Sequence, residues 1–597
     1  MDYEKIGLKA GIEIHQRLDT KKLFCDCSTE MSEKSNAEIK RKLRPVAGEL
    51  GKVDPAALHE FMKDKQFIYK TYPTESCLVE SDSEPPHDLD KEALKISLKI
   101  CKLLDCDIPD EIEIMRKTVI DGSNTGGFQR TAIVGMDGQL ELNNKKIKIP
   151  SVCLEEEAAR IEERKNGTVI YKLNGLGIPL VEITTTPVLK TPKEVKNVAK
   201  QIGLLLRSTK VKRGIGTIRQ DVNVSIKNGA RVEIKGFQEL KQMDTLVENE
   251  VKRQMCLLEI KKTLKKKKAK KKNFKEKEVT KIFKNTNCGF IKKIVGNGGK
   301  VYAGVLPKFK GLMKKDCGGK RFGKELAFYA ESFGPKGIIH DEEDLGKYNL
   351  KKEFEKLKEE LSVKEKDVVF VVAGKGSKKA ADKVLERAYL CKKKIPKETR
   401  IALSDATSKF ARPLPGEARM YPETDISPVR ITKKYLKELE LPKTHKEKRK
   451  ELKKHLSDEL AQQIMNSGYY ELFKEFIGFD PVMVATTLLS TLKELKQEGK
   501  KVKKAHLKKA FELVKKENMP KNQIKKVITL LIKDKSEKEI KEKMKTMSDD
   551  KLRQIIKDTV KEKPDLSNKA LMGIIMGKIK GKASGKRVMK ILNEVKD

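Results

Sequence analysis

Three short segments supply acidic side chains and one histidine with the chemistry of a metal site. Segment 11–15 (GIEIH) predicts a strand in which Glu13 and His15 point to the same face. Segment 154–157 (LEEE) has three adjacent carboxylates, and such a triplet usually faces water at the start of a helix. Segment 174–183 places Glu182 in an otherwise apolar strand, where a buried acid needs a metal ion or a positive partner. Together these oxygen ligands and one imidazole suit Mg²⁺ with bound phosphates.

Two further strand-like segments and one loop offer groups that stabilise phosphate oxygens. They contribute Arg219, Asp221 and Asn223 on alternating positions, Lys235, and the small polar loop 122–127 with Ser123 and Asn124. The sequence has no Walker A motif, Rossmann fingerprint or kinase signature set. An ATP site in this chain must therefore be built in another way.

The cysteines give a weaker indication of metal. Cys25 and Cys27 form a CxC motif, and Cys77 would be a third thiolate. The incomplete ligand set favours thiols without a metal, with zinc as the alternative. The 10 cysteines show no disulfide-framework spacing, so we expect reduced thiols.

The formal net charge of +44 favours a polyanionic partner such as a nucleic acid. The excess is mostly lysine among glutamates, so part of it is also explained by solvated helical faces. No apolar run reaches the roughly 18 residues of a membrane span, and the N-terminal segment lacks the apolar core of a secretory signal. These features predict a cytoplasmic protein that does not bind membranes.

The elements that must position these residues change in type along the chain. Residues 1 to about 275 contain short alternating runs typical of a largely antiparallel sheet, with helices predicted over 91–104 and 193–206. The predicted strands in this part of the chain include 3–18, 168–172, 180–185, 221–226 and 231–235. Segment 261–272 is nearly all lysine and predicts an exposed helix end or linker. Strand patterns return at 301–306 and 368–373, and residues after about 433 have helical spacing. The overall prediction is an α+β multidomain fold.

The last 55 residues or so predict two amphipathic helices, each with an apolar stripe on one side and a basic face on the other. The apolar stripes are typical of a core, and the lysines opposite them would contact a phosphate backbone. These lysines are Lys578, Lys580, Lys582, Lys586 and Lys590.

Six motifs in fixed order closely resemble the B/E family of tRNA-dependent amidotransferase subunits. They are GIEIHQRLDTKKLFC, RKTVIDGSNTGGFQRT, LEEEAARI, LNGLGIPLVEITTTP, RQDVNVSI and EIKGF. The resemblance covers nearly the whole chain. Two features favour the archaeal E type over the bacterial B type. One is the N-terminal sequence CSTE…RKLRPVAGELGKVD, and the other is an insertion that resembles that of bacterial-type aspartyl-tRNA synthetases.

The resemblance implies a domain plan around an antiparallel-sheet "cradle". The catalytic cradle would span 1–279 and resume over 401–432. An α/β insertion would occupy 280–400, a helical domain 433–540 and a small tRNA-contacting tail 541–597.

The resemblance also implies the reaction. ATP would phosphorylate the γ-carboxyl of glutamate on Glu-tRNA(Gln), and ammonia would displace phosphate to give Gln-tRNA(Gln). The implied metal ligands for Mg²⁺ are Glu13, His15, Glu155, Glu156 and Glu182, with Glu13, His15, Glu182 and Lys235 catalytic; the choice between Glu155, Glu156 and Glu157 stays open. The implied ATP and phosphate contacts are Arg219, Asp221, Asn223, Lys235, Ser123 and Asn124.

The chain shows no glutaminase signature. Ammonia is therefore expected from an asparaginase-like glutaminase, the D-type partner of the archaeal family, in a heterotetramer. The alternatives are a bacterial B-type protein working with an amidase, or a basic tRNA-binding scaffold without catalysis. The scaffold explains the charge but leaves the acids of three separate segments unexplained.

Overall fold

A computed structural model describes most of the chain. The described residues are 1–47, 51–142, 145–165, 167–267, 276–415, 420–517, 519–544, 547–564, 566–579, 583 and 585–596, except the side chains of Lys446 and Lys586.

The strands, in chain order, are β1 Lys9–Arg17, β2 Ala37–Arg41, β3 Gln66–Thr71, β4 Glu111–Ile112, β5 Ile114–Thr118, β6 Phe128–Leu142, β7 Lys145–Glu156, β8 Arg160–Lys165, β9 Thr168–Lys172, β10 Pro179–Thr184, β11 Ile218–Ser225, β12 Val232–Phe237, β13 Glu276–Glu278, β14 Val301–Leu306, β15 Ile339–His340, β16 Val368–Ala373, β17 Glu398–Ala402, β18 Ser408–Pro413, β19 Met420–Pro422 and β20 Val429–Arg430.

The helices, in chain order, are α1 Tyr3–Ile6, α2 Pro55–Phe61, α3 Lys91–Leu103, α4 Pro192–Leu206, α5 Met243–Lys266, α6 Gly289–Gly296, α7 Phe322–Glu331, α8 Lys351–Glu360, α9 Ser377–Lys393, α10 Lys433–Glu438, α11 His445–Leu452, α12 Asp458–Ser467, α13 Tyr470–Glu475, α14 Pro481–Thr486, α15 Leu492–Gln497, α16 Lys504–Lys516, α17 Ile524–Ile532, α18 Glu537–Lys543, α19 Asp549–Glu562, α20 Asn568–Ile579 and α21 Gly585–Lys596.

The largest sheet has ten strands in the order β18-β17-β12-β11-β1-β10-β7-β6-β5-β19. Its pairings are antiparallel except the parallel pair of β12 and β17. Helices α3, α4 and α5 supply apolar side chains to the core on this sheet. Both α3 and α4 begin at a side-chain cap, Asp90 and Thr191, which accepts a bond from a first-turn amide. The strand β1, which carries Glu13 and His15, therefore lies in the middle of a well-packed sheet.

Two smaller sheets have four strands each. One has the order β2-β3-β9-β8 and the other β13-β14-β16-β15. The second sheet contributes to two apolar cores. One contains side chains of α6 and α8, and the other contains side chains of α5, α7 and α9.

The chain divides into two compact units, Met1–Pro442 and Lys443–Asp597. The second unit is helical over its described residues, with one apolar core built from 452–544 and another from 552–592. Mixed α and β structure followed by a helical region agrees with the predicted α+β class. Among the described residues, every helix is too short or too polar for a bilayer-spanning segment.

A buried network of three arginines and three glutamates joins α5, α7, α9 and β17. Glu325 accepts hydrogen bonds from Arg253 at 2.7 Å and from Arg400 at 2.8 and 3.0 Å, and it pairs with Arg387 at 3.5 Å. Glu250 and Glu398 bind the same arginines. Charges that deep need full pairing, so this network fixes how the four elements meet.

Three sequence expectations are corrected. The carboxylates of 155–157 are buried at the end of β7 and do not face water at a helix start, since neighbouring cations bind them. Cys256 and Cys317 form a disulfide across 61 residues, so not all thiols are free. The strand-like pattern 3–18 begins with the helix α1.

Of the lysine-rich segment 261–272, residues to Lys266 extend α5, and 268–272 lie outside the described residues.

Candidate active site

The register of β1 with its two neighbours brings the predicted site residues together. Glu13 lies opposite Asp221 of β11, and His15 lies opposite Glu182 of β10 and Arg219 of β11. Because side chains alternate along a strand, these residues share one face of the sheet. Three segments that are far apart in sequence thus contribute to a single polar surface.

His15, Glu155 and Glu182 form the first acidic cluster. The Nε2 atom of His15 lies 2.9 Å from Oε2 of Glu182, and one ligand atom from each residue lies within 4.8 Å of the others. Burial lowers the pKa of His15, but the hydrogen bond to Glu182 and the negative charge of Glu182 together outweigh this and leave the pKa raised. Burial opposes ionisation of Glu182, yet His15 and Lys117 hold its pKa well below the usual range. One imidazole and two carboxylates in reach of one point are a suitable donor set for a divalent cation.

Glu13, Asp221 and Glu233 form the second acidic cluster, again with ligand atoms within 4.8 Å of one another. Lys235 lies among them, 2.9 Å from Asp221 and 3.0 Å from Glu233, and Asn223 donates to Glu13 at 2.9 Å. Burial raises the pKa of Glu13 to about 7, because the loss of hydration and the nearby carboxylates outweigh the attraction of Lys235. Burial alone would lower the pKa of Lys235, but Asp221 and Glu233 raise it above its usual value. Lys235 is therefore a fixed positive charge next to the acids.

The three consecutive carboxylates of the LEEE motif have different partners. Glu155 binds Lys117, and it accepts from Thr131 at 3.0 Å and from Gln129 at 3.2 Å. Glu156 accepts from the amide of Arg130 at 3.0 Å. Of the three, Glu155 alone belongs to the cluster with His15 and Glu182.

Glu157 lies between two arginines. It accepts from Nε of Arg17 and from Nη1 of Arg219, both at 2.6 Å. Burial opposes its ionisation, but both arginines lower its pKa. Arg219, which we expected to contact phosphate, is thus held in place by Glu157.

The loop 122–127 lies beside Glu156. Asn124, which is buried, lines a small cavity together with Arg130 and Glu156. Ser123 donates to Asp121 at 2.6 Å and does not line this cavity. The structure therefore brings Asn124, but not Ser123, to the wall shared with the LEEE motif.

Sequence reasoning missed several charged residues of this surface. Lys117 and Arg17 belong to motifs quoted for the resemblance, and Glu233 is two residues from Lys235, so strand alternation was the available signal. Glu423 pairs with Arg116 and Arg130 from a distant part of the chain, and no local pattern indicates this.

The structure completes the cysteine motif with a carboxylate. Cys25, Cys27 and Cys77 lie with Glu80 so that ligand atoms of all four are within 4.8 Å of one another. Cys25 donates to Glu80 at 2.9 Å. Three thiols and one carboxylate around a point match the tetrahedral demand of zinc, whereas the sequence had supplied only three ligands.

We therefore expect the purified chain to hold about one equivalent of zinc, as a closed four-ligand site would. Cys77→Ser should lower the zinc content measured by plasma mass spectrometry, whereas Cys288→Ser, a buried thiol elsewhere, should not. Equal metal content in both variants, or none in the wild type, would exclude the site.

Only some of the predicted tRNA-binding lysines of the tail fall within the described residues. Lys578 pairs with Glu562 at 2.8 Å and donates to Thr559 at 3.1 Å. Lys590 is exposed on α21. Lys580 and Lys582 lie outside the described residues, as does the side chain of Lys586.

Comparison with known proteins gives consistent results along the chain. Residues 8–437 match the model of the GatB/GatE catalytic domain, and residues 471–595 match that of a GatB domain. The chain is 44% identical to the E subunit of the glutamyl-tRNA(Gln) amidotransferase of Methanocaldococcus jannaschii, over 100% of this chain and 99% of the relative. It is 44% identical to the Pyrococcus abyssi protein of the same name, over 96% and 94% of the two chains. The Sulfolobus acidocaldarius protein of that name is 42% identical, over 99% and 98%.

Proposed function

Because the chain belongs to the GatB/GatE family, we propose that it converts Glu-tRNA(Gln) to Gln-tRNA(Gln) with ATP and ammonia. A γ-carboxylate oxygen of the glutamyl group attacks the γ-phosphorus of ATP, and ADP leaves. Ammonia then attacks the activated carbonyl carbon, and phosphate leaves. Activation is needed because oxide or hydroxide is a poor leaving group. The match to a catalytic-domain model over 8–437 is the observation that carries this proposal.

The two acidic clusters would hold Mg²⁺. His15, Glu155 and Glu182 supply one set of donors, and Glu13, Asp221 and Glu233 supply the other. Mg²⁺ prefers oxygen ligands and bridges carboxylates to nucleotide phosphates. Bound there, it would neutralise charge on the transferring phosphoryl group.

The cations of the same surface would stabilise phosphate oxygens. Lys235 is held by Asp221 and Glu233, and Arg219 is held by Glu157. Fixed charges need no reorganisation when charge develops during transfer, which is the main source of electrostatic catalysis. Asn223, through its bond to Glu13, and Asn124, beside Glu156, would complete the polar lining.

Ammonia would come from a separate glutaminase, because the sequence carries no glutaminase signature. We propose that the partner is an asparaginase-like glutaminase of the D type, in a heterotetramer. Shielded transfer would matter, since ammonia in neutral water is mostly ammonium and has no free lone pair.

Trapping the activated intermediate tests this proposal. The chain is incubated with Glu-tRNA(Gln) and ATP without ammonia, and hydroxylamine is then added. We expect a glutamyl γ-hydroxamate and one ADP per trapped group. ADP without hydroxamate, or neither product, would contradict the proposed activation.

The proposed domain plan keeps the insertion at 280–400 and the tail at 541–597. The strands β14–β16 and their helices fall within the former range, and α19–α21 within the latter. We propose that the tail contacts tRNA through Lys590 and neighbouring basic residues.

Deleting residues from 541 onward should weaken tRNA binding and flatten its dependence on salt. Each lysine–phosphate contact displaces counterions and adds about 0.9 to the steepness of the negative slope of log K against log[salt]. Losing such contacts therefore makes the slope less steep. Filter binding at several salt concentrations measures this slope. If the slope is unchanged, the tail does not contact tRNA phosphates.

A further inference from the structure

A cavity of about 570 Å³ lies apart from the acidic clusters, within the first unit. Its walls come from α2, α7, α9, the turn before β12, and the strands β17 and β18. Sites for small molecules have this size and are found where separate structural layers meet. Neither the acids nor the cations of the candidate active site line it.

Aromatic rings form one wall of this cavity. The rings of Tyr329 and Phe410 are stacked at 3.9 Å, and His59 meets Phe333 edge-on at 5.6 Å. His59 also contacts Phe410 edge-on at 6.0 Å. Burial lowers the pKa of His59 to about 4, so the imidazole is neutral and behaves as another flat ring near pH 7. The wall is suited to a planar, uncharged group.

Two buried nitrogen atoms among the lining residues have no hydrogen-bond partner within the described part of the chain. They are Nε2 of His59 and Nε of Arg387. Both side chains are more than nine-tenths buried, at 5% and 2% exposed. Because these two nitrogens have almost no accessible surface, they lie behind the cavity wall and are not contact points for a ligand.

The charges of the lining leave a positive rim. Glu386 pairs with Lys383 at 2.6 Å, and Glu398 binds Arg400 at 2.6 Å, so both carboxylates are neutralised. Lys394 and Lys397 are exposed and form no ion pair within the described residues. The open ammonium groups therefore favour an anionic substituent.

We propose that this cavity binds a nucleotide, with its base against Phe333, Phe410 and His59 and its phosphate at Lys394 and Lys397. A flat heterocycle with an attached anion matches the aromatic wall and the positive rim together. Resting on the function proposed above, the source is an unstacked nucleotide of the bound tRNA. Stacking of bases on aromatic side chains is the usual way in which proteins hold unstacked nucleotides.

Two pairs of matched variants of the full chain test the proposal. Phe333→Leu removes the ring but keeps apolar bulk, and Phe333→Trp keeps a ring. Lys394→Glu/Lys397→Glu reverses the rim, and Lys352→Glu/Lys356→Glu makes the same charge change on the exposed face of α8. Thermal unfolding midpoints confirm that each variant is folded. The probes are uncharged tRNA(Gln) and, separately, AMP and UMP.

We expect Phe333→Leu and the rim variant each to weaken tRNA binding by about ten-fold relative to their controls. If instead AMP or UMP binding shows this pattern and tRNA binding does not, a free nucleotide is the ligand. If neither probe separates the variants from their controls, the proposal is wrong. Amidation by the wild type is measured in parallel. If the wild type amidates but the cavity variants bind tRNA as well as their controls, this inference alone is wrong. If the cavity variants weaken tRNA binding but the wild type does not amidate, the proposed function alone is wrong.

Discussion

Replacing Glu182 by glutamine should lower the rate of ATP-dependent phosphorylation of Glu-tRNA(Gln) by about 10²–10³-fold, the usual effect of removing one preorganised electrostatic group. Glutamine keeps the shape and can still bond to His15, which lies 2.9 Å from the carboxylate. It removes the negative charge that the cluster with Glu155 would offer to Mg²⁺. Single-turnover ADP formation with saturating tRNA measures the rate.

The control for this prediction is Glu163→Gln, on the fully exposed strand β8. It makes the same chemical change away from the cluster and should leave the rate unchanged. tRNA affinity should be unaltered in both variants, because neither carboxylate faces a phosphate backbone in the proposal. A normal phosphorylation rate in Glu182→Gln would remove this residue from the site.

Replacing Glu325 by alanine should lower the free energy of unfolding by about 3–5 kcal/mol, since removing one partner of a buried ion network leaves uncompensated charge. Glu325 is 2% exposed and bonds to Arg253 and Arg400. Burial raises the cost of its charge, yet these arginines hold its pKa well below the usual range. Urea unfolding followed by circular dichroism measures the loss.

Glu331→Ala on the same helix is the matched control. Glu331 forms a partly exposed ion pair with Lys324, and such pairs contribute about 0–1 kcal/mol. If both variants lose the same stability, the network does not hold α7 against α5 and β17.

Strand patterns predicted much of the sheet because each strand carries its own alternation. The predicted strands 168–172, 301–306 and 368–373 coincide with β9, β14 and β16. The helix 91–104 differs from α3 by a single residue at its end. These elements depend on local spacing, which a sequence displays directly.

Local spacing does not encode which distant segments pair, so the sequence did not predict these pairings. The order β11-β1-β10-β7 decides that Glu155, and neither Glu156 nor Glu157, lies with His15 and Glu182. In the same way, Glu80 lies three residues after Cys77, yet only the fold brings both to the CxC motif. The disulfide of Cys256 and Cys317 depends on how α5 lies against the loop after β14.

The most direct test of the central claim uses the purified chain without any glutaminase. It is given Glu-tRNA(Gln), labelled ATP and an ammonium salt at a pH where free ammonia is present. We predict Gln-tRNA(Gln) and ADP in equal amounts, and no amidation when glutamine replaces ammonium. Formation of neither product, with tRNA binding intact, would contradict the account and leave a tRNA-binding protein without catalysis.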